Sequence, residues 1–188
     1  MTDGAGSAGE RTRAVISAGS NVGDSRALLR SVITGFGDEV VAVSQVYATA
    51  PWGGVAQDDF LNVTLIVEGP RAPIEWLRRG AEMEQAADRI RETRWGPRTL
   101  DVDVISVGHM SGASEATTLC SDDPVLTLPH PRASQRAFVL VPWLEIDPGA
   151  TLWTPAGVRT VAELIAALPE TETQGVRPAG FLDSKTPQ

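Results

Sequence analysis

Two aspartates, Asp101 and Asp103, stand two residues apart within an otherwise apolar run of the sequence. If that run forms a β-strand, both carboxylates project from the same face, with their Cα atoms about 6 to 7 Å apart. Carboxylates placed side by side repel each other and lose hydration, so they need a compensating cation. Mg²⁺ suits such a pair because it prefers a few carboxylates together with waters and substrate phosphates, and two such ions can clamp an in-line displacement at phosphorus. The pair predicts a magnesium site, and a solvated edge strand with alternating acids is the alternative interpretation.

A cluster of arginines precedes the acid pair. Four of them fall within ten residues, namely Arg89, Arg91, Arg94 and Arg98. Guanidinium groups match phosphate oxygens and keep their charge. Such a cluster alone is usually a solvated helix end, but beside two carboxylates it predicts that an ATP polyphosphate bridges the arginines and the metal ions.

Two weaker signals accompany this pattern. The turn Gly19-Ser-Asn-Val-Gly23 lacks the lysine and the spacing of a Walker phosphate loop, so we interpret it as a tight turn from a strand into a helix. His130 lies between two prolines and six residues before Arg136, where it can hydrogen-bond a phosphate or a sugar. A purely structural histidine is the alternative.

Apolar periodicity predicts the elements that must position these residues. A first helix is capped by Asp24 or Ser25 and ends at residues 35–37, and a second helix covers 73–92. Strands are expected at residues 13–18, 40–48, 60–67 and 100–107. The resulting order, βαββαβ, is typical of a ferredoxin-like α+β fold, an antiparallel sheet with helices on one face.

The remainder of the chain is expected to add C-terminal structure to this sheet. A polar excursion at 108–123, an apolar stretch at 137–146 and a short helix at 161–168 follow the last predicted strand. We expect a flexible leader at 1–12, a single domain over 13–168 and a polar tail at 169–188.

Composition excludes several classes of protein. The 188 residues are 42% hydrophobic and 21% charged, which is typical of one globular domain. Cys120 is the single cysteine, so an internal disulfide and a multi-cysteine metal site are excluded. The net charge of −8 disfavours broad binding to nucleic acid.

The sequence gives no sign of membrane association. It has no run of about 18 apolar residues, and its start lacks a signal-peptide core. We therefore expect a cytoplasmic protein whose partners are small molecules, with a monomer as the default expectation.

Four separated motifs together resemble the 6-hydroxymethyl-7,8-dihydropterin pyrophosphokinase family of folate biosynthesis. They are Gly19-Ser-Asn, then Thr49-Ala-Pro51-Trp-Gly53 through Phe60-Leu-Asn62, then Arg94-Trp-Gly-Pro-Arg98-Thr-Leu-Asp101-Val-Asp103, and Leu128-Pro-His130 with Arg136-Ala-Phe138. The third motif is highly specific, and the similarity spans about residues 13–168. The resemblance implies a ferredoxin-like fold and an ATP- and Mg²⁺-dependent diphosphokinase, a transferase that moves diphosphate from ATP to the pterin hydroxymethyl group and releases AMP.

The resemblance also implies a role for each matching residue. Asp101 and Asp103 would hold two Mg²⁺ ions, and Arg89 and Arg98 would join them as catalytic residues. ATP contacts would come from Glu84, Arg89, Arg91, Arg94, Trp95, Arg98, His130 and Arg136. Pterin contacts would come from Thr49, Ala50, Trp52, Phe60, Asn62, Trp95, Asp101 and Phe138, with Phe60 and Phe138 stacking on the two ring faces.

Some residues depart from the usual pattern of that family. Ala81 stands where relatives often carry a polar side chain that contacts the nucleotide, the arginine loop is one residue short, and Pro131 follows His130 where an aromatic residue can occur. These departures leave the adenine and ribose contacts open. Phe60 replaces a tyrosine, which keeps the stacking surface and loses a hydroxyl. No general base is evident near the acceptor hydroxyl, so we expect metal activation of that hydroxyl and attack on the β-phosphorus.

Other functions remain open at this point. An Asp-x-Asp strand also binds metal–nucleotide complexes in nucleotidyl- and glycosyltransferases, but such an enzyme would leave Phe60, Asn62 and Phe138 without a role. A non-catalytic ferredoxin-like sensor of small molecules would not need an acid pair beside four arginines. An RNA-binding module of similar topology is disfavoured by the acidic charge.

Overall fold

The first strand and the first helix form as the sequence predicts. The computed structural model describes residues 11–50, 58–87, 99–111 and 115–182. Strand β1 spans Thr12–Ser20, and helix α1 spans Ser25–Phe36. Asp24 caps α1, because its carboxylate accepts a hydrogen bond from the Ala27 backbone N–H at 2.9 Å. The helix ends at Gly37, whose φ of 57° favours glycine.

The single strand predicted at 40–48 is wrong, because two shorter strands occupy this stretch. They are β2, Val40–Val43, and β3, Tyr47–Thr49, and both pair with β4, Phe60–Gly69. Between them the Ser44 hydroxyl accepts a hydrogen bond from the Thr64 backbone N–H at 3.0 Å. A register shift in β2 accompanies the break. The chain bends here to keep both halves on one partner strand.

Helix α2 spans Pro73–Ala86 and begins with proline in its first turn. The Glu75 carboxylate accepts a hydrogen bond from the Ala72 backbone N–H at 2.6 Å, which satisfies a donor at the helix start. Ala87 is the C-terminal cap, and residues 88–92 of the predicted helix lie outside the described residues.

The predicted polar excursion at 108–123 contains strands instead. Strand β5 spans Asp101–Ser111 and pairs with β6, Glu115–Thr118. A second small pair follows, β7 at Ser121–Asp122 with β8 at Thr127–Leu128. The excursion was predicted as polar loop because threonine, serine and histidine obscure the period-2 pattern there.

The C-terminal part adds three helices and a hairpin. Their bounds are α3, Ala137–Ile146; β9, Thr151–Thr154; β10, Gly157–Thr160; α4, Val161–Ala167; and α5, Glu170–Gln174. A last strand, β11 at Arg177–Pro178, pairs with β3. The described part of the segment expected as a polar tail thus joins the sheet edge.

The main sheet is antiparallel, with the strand order β11-β3-β4-β1-β5-β6 and β2 also paired with β4. The fold is therefore a mixed α/β arrangement of an antiparallel sheet and helices. Within the described ranges, no helix is long and apolar enough to cross a membrane.

The two helices of the βαββαβ part, α1 and α2, lie on one face of this sheet as expected, and helices of the C-terminal part cover the other face. On one face Ile16 and Val104 pack in a core cluster with residues of α1 and α2. On the opposite face Val15 and Ile105 pack against α3 and α4. Alternate residues of β1 and β5 thus belong to different cores.

Candidate active site

Asp101 and Asp103 project from one face of β5, and the valines between and after them project from the other. Asp101 lies opposite Gly19 of β1, and Asp103 lies opposite Ser17. Val102 and Val104 are 5% and 4% exposed in the core beneath α1 and α2, whereas both aspartates are only half-buried. The strand therefore separates a packing face from a carboxylate face.

Polar residues continue across the sheet from the two carboxylates. Gly19 and Ser17 lie opposite Asn62 and Thr64 of β4, respectively. Residues directly opposite each other in an antiparallel pair share a face. Two rows result, Asp101-Gly19-Asn62 and Asp103-Ser17-Thr64. The side chains of Ser17, Asn62 and Thr64 are all buried, so the strip runs from the half-buried aspartates into the interior of the protein.

The absence of a side chain at Gly19 allows the close approach of Asn62. A Cβ atom at Gly19 would lie 2.8 Å from Asn62 Oδ1, which is closer than carbon and oxygen can pack. Asn62 Nδ2 donates a hydrogen bond to Thr49 Oγ1 at 2.9 Å. Thr49 lies opposite Phe60, so these predicted pterin contacts share one corner of the sheet. The carboxamide is thereby held against β1 by Thr49.

Asp103 is paired with a cation supplied from beyond the sheet. Arg136, the residue before α3, donates a hydrogen bond from its guanidinium to Asp103 Oδ2 at 2.8 Å. The side chain of Asp103 is 32% exposed, and that of Arg136 is 22% exposed. The guanidinium carbon also lies 5.5 Å from the centre of the Phe138 ring, a cation–π distance. The start of α3 therefore brings Arg136 and Phe138 to the acid pair.

His130 lies near the same carboxylates, in buried surroundings that favour its neutral form. Burial lowers the pKa of His130; Arg136 and Arg132 lower it further, and Asp103 and Asp101 oppose the shift. Its Nδ1 accepts a hydrogen bond from the Arg132 backbone N–H at 3.1 Å, so the ring proton belongs on Nε2. The His130 backbone N–H is bonded to the Ile105 carbonyl at 2.8 Å, which fixes this segment beside β5.

Glu84 of α2 contacts the strand that carries the aspartates. Its Oε1 accepts a hydrogen bond from the Val102 backbone N–H at 2.8 Å. Gly80, one turn earlier, allows the close packing, because a Cβ there would lie 3.0 Å from Val102 Cγ1. The residue predicted to contact ATP is therefore also a partner of the strand between Asp101 and Asp103.

The acid pair suits Mg²⁺ better than a metal that needs a full protein cage. Among the described residues, no group of three or more His, Cys, Asp and Glu side chains could hold a metal ion. Two carboxylates on one face match an ion that completes its coordination with water and phosphate oxygens. Asp101 and Asp103 are the residues that would hold it.

A family model decides between the functions left open by the sequence. The model for 7,8-dihydro-6-hydroxymethylpterin-pyrophosphokinase matches residues 15–148. The chain belongs to this family.

Curated relatives agree with membership of the pyrophosphokinase family. The chain is 47% identical over 180 residues to the 2-amino-4-hydroxy-6-hydroxymethyldihydropteridine pyrophosphokinase of Mycobacterium tuberculosis, covering 94% of this chain and 96% of the relative. The protein of the same name from Mycobacterium leprae is 51% identical over 168 residues, covering 88% of each chain.

Solved structures agree with the fold. The chain is similar to Plasmodium falciparum HPPK-DHPS A437G with pteroate, with a TM-score of 0.58 at 12% identity. The match covers 85% of this chain and 43% of that one, so the chain spans less than half of the Plasmodium protein. At this identity the likeness concerns the fold alone.

The structure describes only part of the pyrophosphokinase site predicted from the sequence. It brings together Thr49, Phe60 and Asn62 on one side and Asp101, Asp103, His130, Arg136 and Phe138 on the other. Ala50 follows β3 and is exposed. The predicted contacts Trp52, Arg89, Arg91, Arg94, Trp95 and Arg98 lie outside the described residues.

Sequence reasoning missed the centre of the polar strip in this pyrophosphokinase. Ser17 and Thr64 complete the row that starts at Asp103, and neither was predicted as a site residue. Ser17 and Gly19 stand two apart in β1, as the aspartates do in β5. This spacing of two small residues in a predicted strand was the signal that could have indicated a second set of residues facing the site.

Proposed function

We propose that this chain transfers diphosphate from ATP to the hydroxymethyl group of 6-hydroxymethyl-7,8-dihydropterin, a step of tetrahydrofolate biosynthesis. The observation that carries the proposal is the strip that joins Asp101 and Asp103 to Asn62 across three adjacent strands. Family membership and relatives that bear the name of this activity support it.

The reaction is a displacement at the β-phosphorus of ATP. The pterin hydroxyl oxygen bonds to that phosphorus, the bond from the β-phosphorus to the oxygen shared with the α-phosphorus breaks, and AMP leaves. The hydroxyl proton is released. When bound, Mg²⁺ would neutralise charge on the phosphates and lower the pKa of the hydroxyl, and we propose two ions held by Asp101 and Asp103.

Residues around the acid pair have separate tasks in this proposal. The Arg136 guanidinium, 2.8 Å from Asp103, would bind phosphate oxygens that approach the carboxylates. Neutral His130, with its proton on Nε2, can donate to a phosphate or ribose oxygen. We propose Glu84, Arg89, Arg91, Arg94, Trp95 and Arg98 as further ATP contacts, with Arg89 and Arg98 catalytic.

The opposite side of the strip binds the pterin. The Asn62 amide and the Thr49 hydroxyl offer polar contacts, and Phe60 and Phe138 offer flat surfaces for stacking, worth about 1 to 3 kcal/mol per ring for a comparable heterocycle. Ala50, Trp52, Trp95 and Asp101 complete the proposed pterin contacts. The hydroxymethyl group would then lie near the carboxylates, between the two substrates.

Several broader features belong to the same proposal. The sheet order, in which β1 lies between β4 and β5, supports a ferredoxin-like arrangement of the first half of the chain. We also propose a single pyrophosphokinase domain over residues 13–168, preceded by a leader, that acts as a cytoplasmic monomer, and β11 beyond residue 168 adds to its sheet.

Product analysis tests this function. The protein is incubated with ATP, Mg²⁺ and 6-hydroxymethyl-7,8-dihydropterin, and nucleotides are separated by chromatography. AMP is expected to form only when the pterin is present, and to disappear in Asp101→Ala. Release of ADP with a single phosphate on the pterin would contradict the proposal, and near-normal turnover of Asp103→Ala would contradict the assignment of two ions.

A further inference from the structure

At the outer edge of β5, the backbone N–H of Val102 donates its hydrogen bond to a side chain rather than to a neighbouring strand. In the described part of the chain β6 pairs with Gly108–Ser111 of β5, several residues beyond the acid pair. A backbone N–H on a strand edge needs another partner when it is shielded from water. Glu84 Oε1 supplies that partner to Val102 at 2.8 Å.

The position of Glu84 follows from how α2 packs. Gly80 and Glu84 are four residues apart, so they lie on the same side of the helix. Gly80 is buried against Val102, with room for no more than a tight contact at Cβ. This approach brings Glu84 to the strand edge, where its side chain reaches the backbone.

The bond joins α2 to the peptide between the two proposed metal ligands. Val102 shares one peptide group with Asp101 and the other with Asp103, so fixing its N–H restricts the backbone of both neighbours. Groups that orient metal ligands are typically worth 10- to 100-fold in metal affinity or activity.

We infer that Glu84 is a positioning residue that holds Asp101 and Asp103 in their relative orientation through the Val102 backbone. This inference rests on the proposed function, and it gives Glu84 a task besides a contact with ATP. A positioning bond needs an acceptor oxygen at the correct reach, whereas a contact with a cation needs the negative charge.

Three substitutions separate reach from charge. Glu84→Gln keeps the acceptor and its reach without the charge, Glu84→Asp keeps the charge with a shorter side chain, and Glu84→Ala loses both. Glu82→Ala on the exposed side of α2 is the matched control. The readouts are hydrogen exchange of the Val102 amide by NMR and the Mg²⁺ concentration that gives half-maximal AMP formation.

The expected effects depend on whether the side chain at position 84 is long enough to reach the Val102 N–H, and not on its charge. Glu84→Ala and Glu84→Asp speed exchange at Val102 and raise the required Mg²⁺ concentration about 10-fold or more. Glu84→Gln keeps slow exchange and stays within about fivefold of the unmodified protein, since a neutral acceptor replaces a charged one. Glu82→Ala changes neither readout.

Two results would overturn the inference. One is a Glu84→Gln variant as impaired as Glu84→Ala despite slow exchange at Val102, because charge would then be what matters. The other is a Glu84→Ala variant that exchanges slowly or needs no more Mg²⁺. If the unmodified protein forms no AMP with the pterin, the proposed function fails, and the exchange measurement still tests the bond itself.

Discussion

The two faces of the central sheet use the same strands for opposite purposes. On the face beneath α1 and α2, Ile16 and Val104 are almost completely buried among other apolar side chains. On the other face, Ser17 and Asp103 lie opposite each other in a polar strip, next to a second core in which Val15 and Ile105 pack against α3 and α4. Successive residues of β1 and β5 alternate between these environments, so each strand is held in place by residues that do not touch the site.

Because of this difference, the residues that stabilise the fold and the residues proposed to act on the substrates alternate along the same strands. Substitutions on the packing face should reduce the free energy of unfolding, because they remove apolar contacts and leave cavities. Substitutions of the half-buried carboxylates in the polar strip should reduce activity with little loss of stability, because partly exposed ion pairs contribute little to folding. The following predictions test that separation.

The largest effect is expected for Asp101→Asn. The substitution keeps the size of the side chain and removes the charge that attracts Mg²⁺, so kcat/KM should fall about 1000-fold, the equivalent of about 4 kcal/mol. AMP formation measures the loss, and urea unfolding should show little change. Asp38→Asn, at an exposed position, is the control. A parallel loss of stability would show that Asp101 has a packing role instead.

Ile16→Ala should have the opposite profile. Ile16 is fully buried, so the variant should lose about 3 kcal/mol of unfolding free energy, measured by urea denaturation. The Mg²⁺ dependence of AMP formation by the folded fraction should remain that of the unmodified protein. Val158→Ala at an exposed site should change stability by less than about 0.5 kcal/mol. If Ile16→Ala altered the Mg²⁺ dependence, the claim that residues of the packing face do not affect the metal site would be contradicted.

Asn62→Leu should weaken binding of the pterin selectively. The leucine fills a similar volume but cannot donate to Thr49 or to the substrate, so KM for the pterin should rise about 30-fold, or about 2 kcal/mol. Steady-state kinetics with each substrate varied in turn provides the measurement. An equal rise in KM for ATP would contradict the assignment of the two sides of the strip.

The smallest effect is expected at the start of α4, away from the acid pair. The Thr160 backbone hydrogen bond, together with the Thr160 hydroxyl and Arg159, lowers the pKa of Glu163. Its charged form therefore stabilises the fold above the unfolded pKa of about 4.5, and this stabilisation is lost as pH falls through the folded pKa. Glu163→Gln should be slightly less stable than the unmodified protein at pH 7. The difference in Tm should vanish at low pH, and a constant difference would contradict this.

Local patterns predicted the elements whose signals are local. The Asp24 cap and Gly37 delimit α1, and the Asp101/Asp103 alternation in β5 is visible in the sequence without knowledge of its neighbours. The break in the strand at 40–48 was missed because it depends on Ser44 bonding to Thr64, a contact between distant residues. Long-range contacts of this kind leave no periodic trace.

The site was predictable to the extent that its residues form motifs. Asp103 and Arg136 were each identified, but their pairing at 2.8 Å depends on how α3 begins over the second face. The contact of Glu84 with Val102 depends equally on the packing of α2 at Gly80. Motifs therefore indicated which residues matter, and only the fold gave their partners.

The number of metal ions held by the acid pair can be counted directly. Mn²⁺ replaces Mg²⁺, and electron paramagnetic resonance measures the ions bound per protein in the presence of the pterin and an ATP analogue with a non-cleavable link between the α- and β-phosphates. Two ions are expected in the unmodified protein, and fewer in both Asp101→Asn and Asp103→Asn. If either variant still bound two ions, the assignment of the ions to Asp101 and Asp103 would be contradicted.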